Sequence, residues 1–288
     1  ELKKHTKHMI LAGDDDQAIY GWAGADVKRF QDEPAKEIIL PQSYRVPRMV
    51  QHIADNILDR IPDERRIKKE WQARDEEGDV YFGTAIEDVP LHEGKWLVLA
   101  RYNDRLIKLK SSLREMGIYF EYKGRKSYKA RLYTAVQNFT RWTNGALLSI
   151  TECRDLFEYL GKEFKEKEER MYDLKEFGYS HTQRWFDVFE TEPEDSLYIR
   201  NMLSQGEQLE DTARVILSTI HSAKGGEAEN VLLILDNTKN IRNAVERSED
   251  KSDEENRIWY VGITRTKQNL YILAAKKESN GYDIESVQ

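Results

Sequence analysis

At 288 residues the chain is long enough for about two domains and at least one proper core. Its make-up, 39% hydrophobic and 34% charged with six Trp, 15 Tyr and nine Phe, describes a globular protein of mixed class and excludes a disordered one. A net charge of −7 supplies no general basic field, so any DNA or RNA site must be local and built from selected residues. Cys153 is the single cysteine, which excludes an intrachain disulfide and a thiolate zinc cluster and makes a reducing, cytoplasmic setting the expectation. No apolar run approaches the roughly 18 residues that span a bilayer, so no membrane partner is expected. The chain opens E-L-K-K-H-T-K-H, without methionine, straight into M-I-L-A, which reads as a piece of a longer protein.

In chain order, residues 9–12 read as a buried strand delivering the polar loop Asp14, Asp15, Asp16 and Gln17 at its carboxyl end, where open α/β sheets bind ligands. A glycine-punctuated aromatic segment with Ile19, Tyr20 and Trp22 leads to a short helix near 26–30, and 38–40 is the next strand. The loop 41–45 ends in Tyr44 and Arg45. Residues 47–61 form an amphipathic helix, with Val50, Ile53, Ala54, Ile57 and Leu58 on one face. A charged loop with Trp71 occupies 63–78, an edge strand 79–85, and a buried strand 95–100 (K-W-L-V-L-A). An amphipathic helix over 104–116 is stopped by Gly117 before a strand at 118–122.

From 123 to 209 the periodicity is helical, with helices predicted at 130–142, 151–169 and 195–209. The run F-K-E-K-E-E-R reads as one solvated helix face. Strands resume at 214–219 and 231–235, a charged mobile loop is expected at 237–253, a helix at 254–265 and a last strand at 269–274. The pattern is an α/β sheet in two halves with a helical insert between them.

The organising stretch is 215–236, where two β-branched apolar runs flank a polar loop containing Thr219, His221, Lys224, Gly225, Gly226 and Glu227. Hydroxyls, an imidazole and an ammonium around glycines suit phosphates, and Glu227 could accept from a sugar hydroxyl. No Ser/Asp spacing around His221 supports a hydrolase triad. In the loop 13–26, Gln17 could sense a phosphate or orient a water and the two aromatics could stack on bases, while the three aspartates could bind a metal or form an acidic capping turn. Tyr44-Arg45 fits a nucleotide contact or an ordinary surface arginine. Arg265, late in its helix, fits a phosphate contact or a C-terminal cap.

Taken jointly, G-D-D-D-Q-A-I-Y-G-W-A-G-A-D, Q-S-Y-R, L-A-R-Y-N with G-I-Y-F-E-Y, T-I-H-S-A-K-G-G-E and Y-V-G-I-T-R-T-K resemble, in order and spacing, the third to sixth signature motifs of superfamily I helicases of the UvrD/Rep/PcrA type. The resemblance implies a RecA-like (P-loop NTPase type) α/β fold, a parallel sheet with helices on both faces interrupted by a small, mostly helical insert. The implied domains are 1–40 as the end of a first RecA-like domain, 41–122 with 210–288 as a second, and 123–209 as the insert. The implied function is an ATP-dependent helicase that moves 3′ to 5′ on single-stranded DNA and opens a duplex junction; the alternatives are a non-catalytic nucleic-acid-binding or regulatory module with a helicase-like fold, or a subunit of a helicase-nuclease.

Residue by residue, the resemblance implies that Gln17 contacts the γ-phosphate and the attacking water, and that Arg45 and Arg265 act as arginine fingers. Tyr44 is expected to stack on adenine and Glu227 to bind the ribose. Tyr20 and Trp22 are expected to stack on DNA bases, with Thr219 and His221 facing the DNA backbone. Ala23, Gly226 and Ala228 depart from the family's usual arginine, leucine and aromatic. No G-x-x-x-x-G-K-[ST] loop and no strand-terminal Asp-Glu pair occurs in the chain. ATP and Mg²⁺ are therefore cofactors expected of the full-length protein, with the Mg²⁺ ligands outside this chain, no metal site within it, and no ATPase from the chain alone.

Overall fold

A computed structural model gives the architecture of residues 5, 9–24, 27–32, 34, 36, 38–207, 209 and 212–284, apart from the side chains of Trp22, Val27, Phe30 and Glu278. In chain order come helices α1 (Val27–Gln31) and α2 (Arg48–Leu58), strands β1 (Asp79–Gly83) and β2 (Trp96–Ala100), helix α3 (Asn103–Glu115), and strands β3 (Phe120–Tyr122) and β4 (Arg125–Lys126). Helices α4 (Ala130–Thr143), α5 (Ile150–Phe157), α6 (Trp185–Val188) and α7 (Pro193–Ser204) follow, then strands β5 (Val215–Thr219) and β6 (Ala228–Ile234), helices α8 (Lys239–Arg247) and α9 (Glu249–Ile263), and strand β7 (Thr266–Leu273). The chain divides into two compact units, Glu1–Leu109 with Arg214–Gln288, and Lys110–Ala213.

In the first unit five parallel strands stand in the order β1-β7-β6-β2-β5. Strand β2 is an interior strand, and W-L-V-L-A buries all of its residues, with Val98 in register with Leu217 of β5 and Leu232 of β6. Leu97 and Leu99 join one core cluster with Ile53 and Ile57 of α2 and Ile258, Val261 and Ile263 of α9. Val98 and Ala100 point the other way along the strand and are fully buried too, so both faces of the sheet are covered, as a parallel α/β sheet requires. The fold is the α/β, RecA-like one expected. β1, with its exposed and half-buried pattern, is the edge strand that the alternation of 79–85 predicts.

The apolar runs 9–12 and 38–40 are not strands. Ile10 is 95% exposed, Ile38 74% and Leu40 83%. A strand exists by its ladder, and among the described residues neither run has a neighbour to pair with. The expected mobile loop at 237–253 is instead α8 and the first turn of α9. Thr238 accepts from the Ile241 amide and Ser248 from the Lys251 amide, and these two caps start helices that the sparse apolar pattern concealed.

The second unit holds a core rich in aromatics, including Phe139 and Trp142 of α4, Tyr172, Trp185 of α6 and Tyr198 of α7. The Trp142 indole donates to Asp173 at 2.8 Å, so its buried N–H is satisfied. The helix predicted over 151–169 stops at Phe157, and the F-K-E-K-E-E-R run is exposed but irregular. A full capping box, Ser149 with Glu152, starts α5, while beyond Phe157 the charged run has no apolar stripe to hold a helix against a core. β3 and β4 form an antiparallel hairpin, the second strand being one that the helical periodicity of 123–209 did not announce.

Candidate functional site

The acidic loop folds as a 3-10 turn over Asp15–Gln17, with Asp14 as its cap. Asp15 and Asp16 are each 3% exposed, and the cation that makes this tolerable is Lys69. Its ammonium lies 2.7 Å from Asp14 and 2.8 Å from Asp16 and also contacts Asp15. The Arg66 guanidinium approaches Asp16 at 3.4 Å. Burial works against the charge on Asp15, but Lys69, the Ile67 amide and Gln31 hold its pKa below the ordinary value. Burial, together with Asp15, pushes Asp16 above it in spite of Lys69 and Arg66. Carboxylate oxygens of the three aspartates lie within 4.8 Å of one another, and the Lys69 ammonium takes the position a metal ion would need.

Asp14 spends its second oxygen on Gln17, accepting from Nε2 at 2.7 Å. That fixes the amide so that Oε1 faces Arg265, whose Nη2 donates to it at 3.3 Å. Arg265 follows α9 and is 2% exposed. It caps the helix as well, donating from Nε to the Val261 carbonyl at 2.8 Å and from Nη2 to Thr264 at 3.2 Å, so the two readings of this residue are compatible. Burial and the charge of Arg45 lower its pKa to about 10, against Tyr260, Glu227 and Asp14, which act in the opposite direction.

Arg45 sits 3.7 Å from Glu227, and its Nε is buried without a hydrogen-bond partner. Glu227 also holds Lys267 at 2.5 Å, and Lys267, helped by Arg45, keeps its pKa below the ordinary value against burial. The carboxylate expected to bind a ribose is thus committed here to two cations. Arg45 and Lys267 pair with Glu227, while Arg265 makes no ion pair among the described residues and feels Glu227 and Asp14 only through their charge; this surplus of cation with a buried orphan N–H fits a polyphosphate. Tyr44 is 87% exposed, its ring open for stacking.

On the other side of Gln17, Lys224 donates to the Gln17 carbonyl at 2.8 Å and lies 5.1 Å from the Tyr20 ring centroid. The Tyr20 hydroxyl donates to the His221 carbonyl at 2.7 Å, and the two rings meet edge-on at 6.0 Å. Burial and the nearby Arg101 lower the His221 pKa, so the imidazole is neutral at physiological pH. Thr219 ends β5 and caps the following turn, its hydroxyl accepting from the Ser222 amide at 3.2 Å and pairing with the Ser222 hydroxyl at 3.0 Å. The backbone of Trp22 lies in the 3-10 turn Gly21–Ala23, and its side chain is outside the described residues.

The signature stretches around Gln17, Thr219 and Arg265 therefore meet, through Gln17 to Arg265 and through Lys224 and Tyr20 to His221. A model of the UvrD-like helicase C-terminal domain matches residues 122–277, more than half of the chain. The chain belongs to that family. A model of the UvrD/REP helicase N-terminal domain matches residues 1–36. The ATP-dependent DNA helicase PcrA of Staphylococcus epidermidis strain RP62A is 36% identical over 77 residues, 25% of this chain and 10% of the relative. That of Staphylococcus aureus strain Mu50 is 30% identical over 92 residues, 30% of this chain and 12% of the relative. The aligned parts span about a tenth of these relatives' length. No helix of the described residues is long and apolar enough to cross a membrane.

Sequence reasoning missed Lys69, whose partners are more than 50 positions away, and K-K-E-W carries no local mark of them. It also missed the pair that braces this end of the sheet, Arg101 just after β2 with Glu255 of α9 at 3.0 Å. The Trp259 indole donates to the same carboxylate at 2.8 Å, and burial raises the Glu255 pKa against Arg101. A glutamate spaced four residues before a tryptophan on the same helix was the available signal.

Proposed function

We propose that the chain supplies one wall of the nucleotide cleft of an ATP-dependent DNA helicase, together with part of its grip on single-stranded DNA. Residues 41–122 and 210–288 act as a second RecA-like domain, 1–40 as the end of a first, and 123–209 as its insert. ATP with Mg²⁺ supplies the phosphoryl group and the neutralising metal, whose ligands lie outside this chain. Arg45 and Arg265 meet the charge that develops on the transferred phosphoryl, in a niche dry enough for each guanidinium to count. The Gln17 amide orients the attacking water, the exposed Tyr44 ring stacks on adenine, and Glu227 sets Arg45 and Lys267 while remaining within reach of a ribose. Tyr20 and Trp22 grip bases and Thr219 and His221 face the strand's backbone; by analogy with this branch, movement runs 3′ to 5′.

The observation that carries the reading is Gln17. Its side chain is held between Asp14 and Arg265, and its carbonyl takes Lys224, which leans on Tyr20. One residue thereby joins the phosphate side to the DNA side, the connection a translocase needs. The chain by itself has no phosphate loop, so the purified 288 residues are expected to hydrolyse no ATP with or without DNA. The same chain joined to a phosphate loop domain is expected to show DNA-stimulated turnover that Gln17→Ala uncouples from DNA. DNA-stimulated turnover by the isolated chain, or DNA stimulation left intact in the variant, would sink the proposal.

A further inference from the structure

The β3–β4 hairpin turns on Lys123 and Gly124, at φ 52° and 70°, with Tyr122 in register with Arg125. Positive φ at both central residues is the tight hairpin turn whose twist suits the strands, and a lysine in that conformation costs about 1 kcal/mol that glycine would not. The cost fixes an ammonium at the exposed tip. Beneath it Lys110 stands 3.8 Å over the Tyr122 ring centroid, with Lys123 at 5.2 Å from the same ring. These two lysines, Arg125 and Lys126 line, with Phe120 and Tyr122, a cavity of about 630 Å³.

Among the described residues no carboxylate lies within ion-pair distance of Lys110, Lys123, Arg125 or Lys126, whereas Arg114 and Lys129 nearby each hold Asp195 at 2.7 Å. Glu121, the hairpin's own acid, stands opposite Lys126 in the register and does not line the cavity. Burial, and after it the charge of Lys123, lower the Lys110 pKa. In a chain with a net charge of −7 this is a local inversion of sign.

We propose that the hairpin cradle is a second nucleic-acid site, a clamp in which Lys110, Lys123, Arg125 and Lys126 take the phosphates of a single strand beside the Tyr122 ring. Unpaired cations interleaved with an aromatic are what a strand's backbone and bases require, and an acidic peptide would leave the ring unused. The clamp rests on the DNA-directed reading above but is tested separately from it. Binding of a labelled oligodeoxythymidine strand to the 288-residue chain is read by fluorescence anisotropy across a salt series. Lys123→Gln with Arg125→Gln is expected to weaken binding about fivefold or more at low salt, and to flatten the slope of log affinity on log salt by about 1.4, the share of two phosphate contacts. Lys165→Gln, which removes an exposed lysine already 3.6 Å from Glu163, is expected to change neither.

Lys126→Gln alone, which leaves the turn residues untouched, is expected to lower the slope by about half as much, so a folding defect of the double variant cannot mimic the result. Affinity and slope equal to the parent's in both hairpin variants would overturn the clamp, as would polyglutamate competing as well as DNA, or no measurable affinity in the parent. Tyr20→Ala in the same assay reports on the cleft-side reading alone. If Tyr20→Ala leaves binding unchanged while the hairpin variants weaken it, the clamp stands and the cleft-side grip fails.

Discussion

Lys69 and Arg265 are two cations withdrawn from water on either side of Gln17, and their surroundings differ in sign. Lys69 has three carboxylates within reach, and although burial alone would lower its pKa, their charges and hydrogen bonds raise it. Arg265 has Arg45 beside it and, among the described residues, no carboxylate within ion-pair distance; Glu227 and Asp14 act on it only through their charge, and its pKa falls to about 10. A cation whose counter-ions are all in the chain is structural, whereas one left short of them is complete only with an anion from outside. On the function proposed above, the chain separates the group that holds the loop from the group that takes phosphate, with Gln17 between them.

The comparison breaks first on activity. In a protein that carries this chain together with a phosphate loop, Arg265→Ala is expected to lower ATP turnover by about a thousandfold or more. Steady-state turnover measures it, and an unchanged rate removes the phosphate role. Lys69→Met is expected to destabilise the chain by about 3 kcal/mol, since it strands carboxylates that are almost fully buried. Denaturant unfolding should show that deficit shrinking as pH falls toward 4. Asp15, held low by Lys69 in the parent, then takes a proton at higher pH, and protonation removes the uncompensated charge.

Two smaller effects sharpen the contrast. Burial raises the pKa of Asp55 to about 6, although its carboxylate accepts from the Trp71 indole at 3.1 Å. A folded-state pKa above the unfolded one means that the native state binds the extra proton, so stability falls as pH rises from about 4 to about 6. Asp55→Asn is expected to gain about 1 kcal/mol at pH 7.5, after discounting for the part of the group that stays wet, and to lose that pH slope. Thermal unfolding at the two pH values checks it. Arg265→Met, unlike Lys69→Met, is expected to shift stability by no more than about 1 kcal/mol, because an under-compensated buried cation contributes little to the fold.

How much of this was legible follows from the range of each interaction. K-W-L-V-L-A announces β2 because a strand buried on both faces is apolar at every position, and the helix over 48–58 shows its spacing directly. Residues 9–12 and 38–40 carry the same local signal and are exposed, because a strand depends on a neighbour that local pattern does not report. Most of the last helix was legible over 254–265, but α8 and the first turn of α9 were hidden since their start signals are single hydroxyl caps among charges. At the site, Gln17, Arg45, Arg265, Tyr20 and His221 could be named from motif order. The balance that tells Lys69 from Arg265 lies in contacts between segments more than 50 residues apart, where the sequence has no mark.

The central claim is that the Arg265 niche is short of negative charge and is completed by phosphate. The direct measurement is the thermal midpoint of the 288-residue chain with and without millimolar pyrophosphate, for the parent and for Arg265→Met. A ligand that binds only the folded state at about ten times its Kd stabilises by about 1.4 kcal/mol, a rise of a few degrees for a chain this size. The account predicts that rise in the parent and its loss in Arg265→Met, whereas equal shifts in both, or none in the parent, would contradict it.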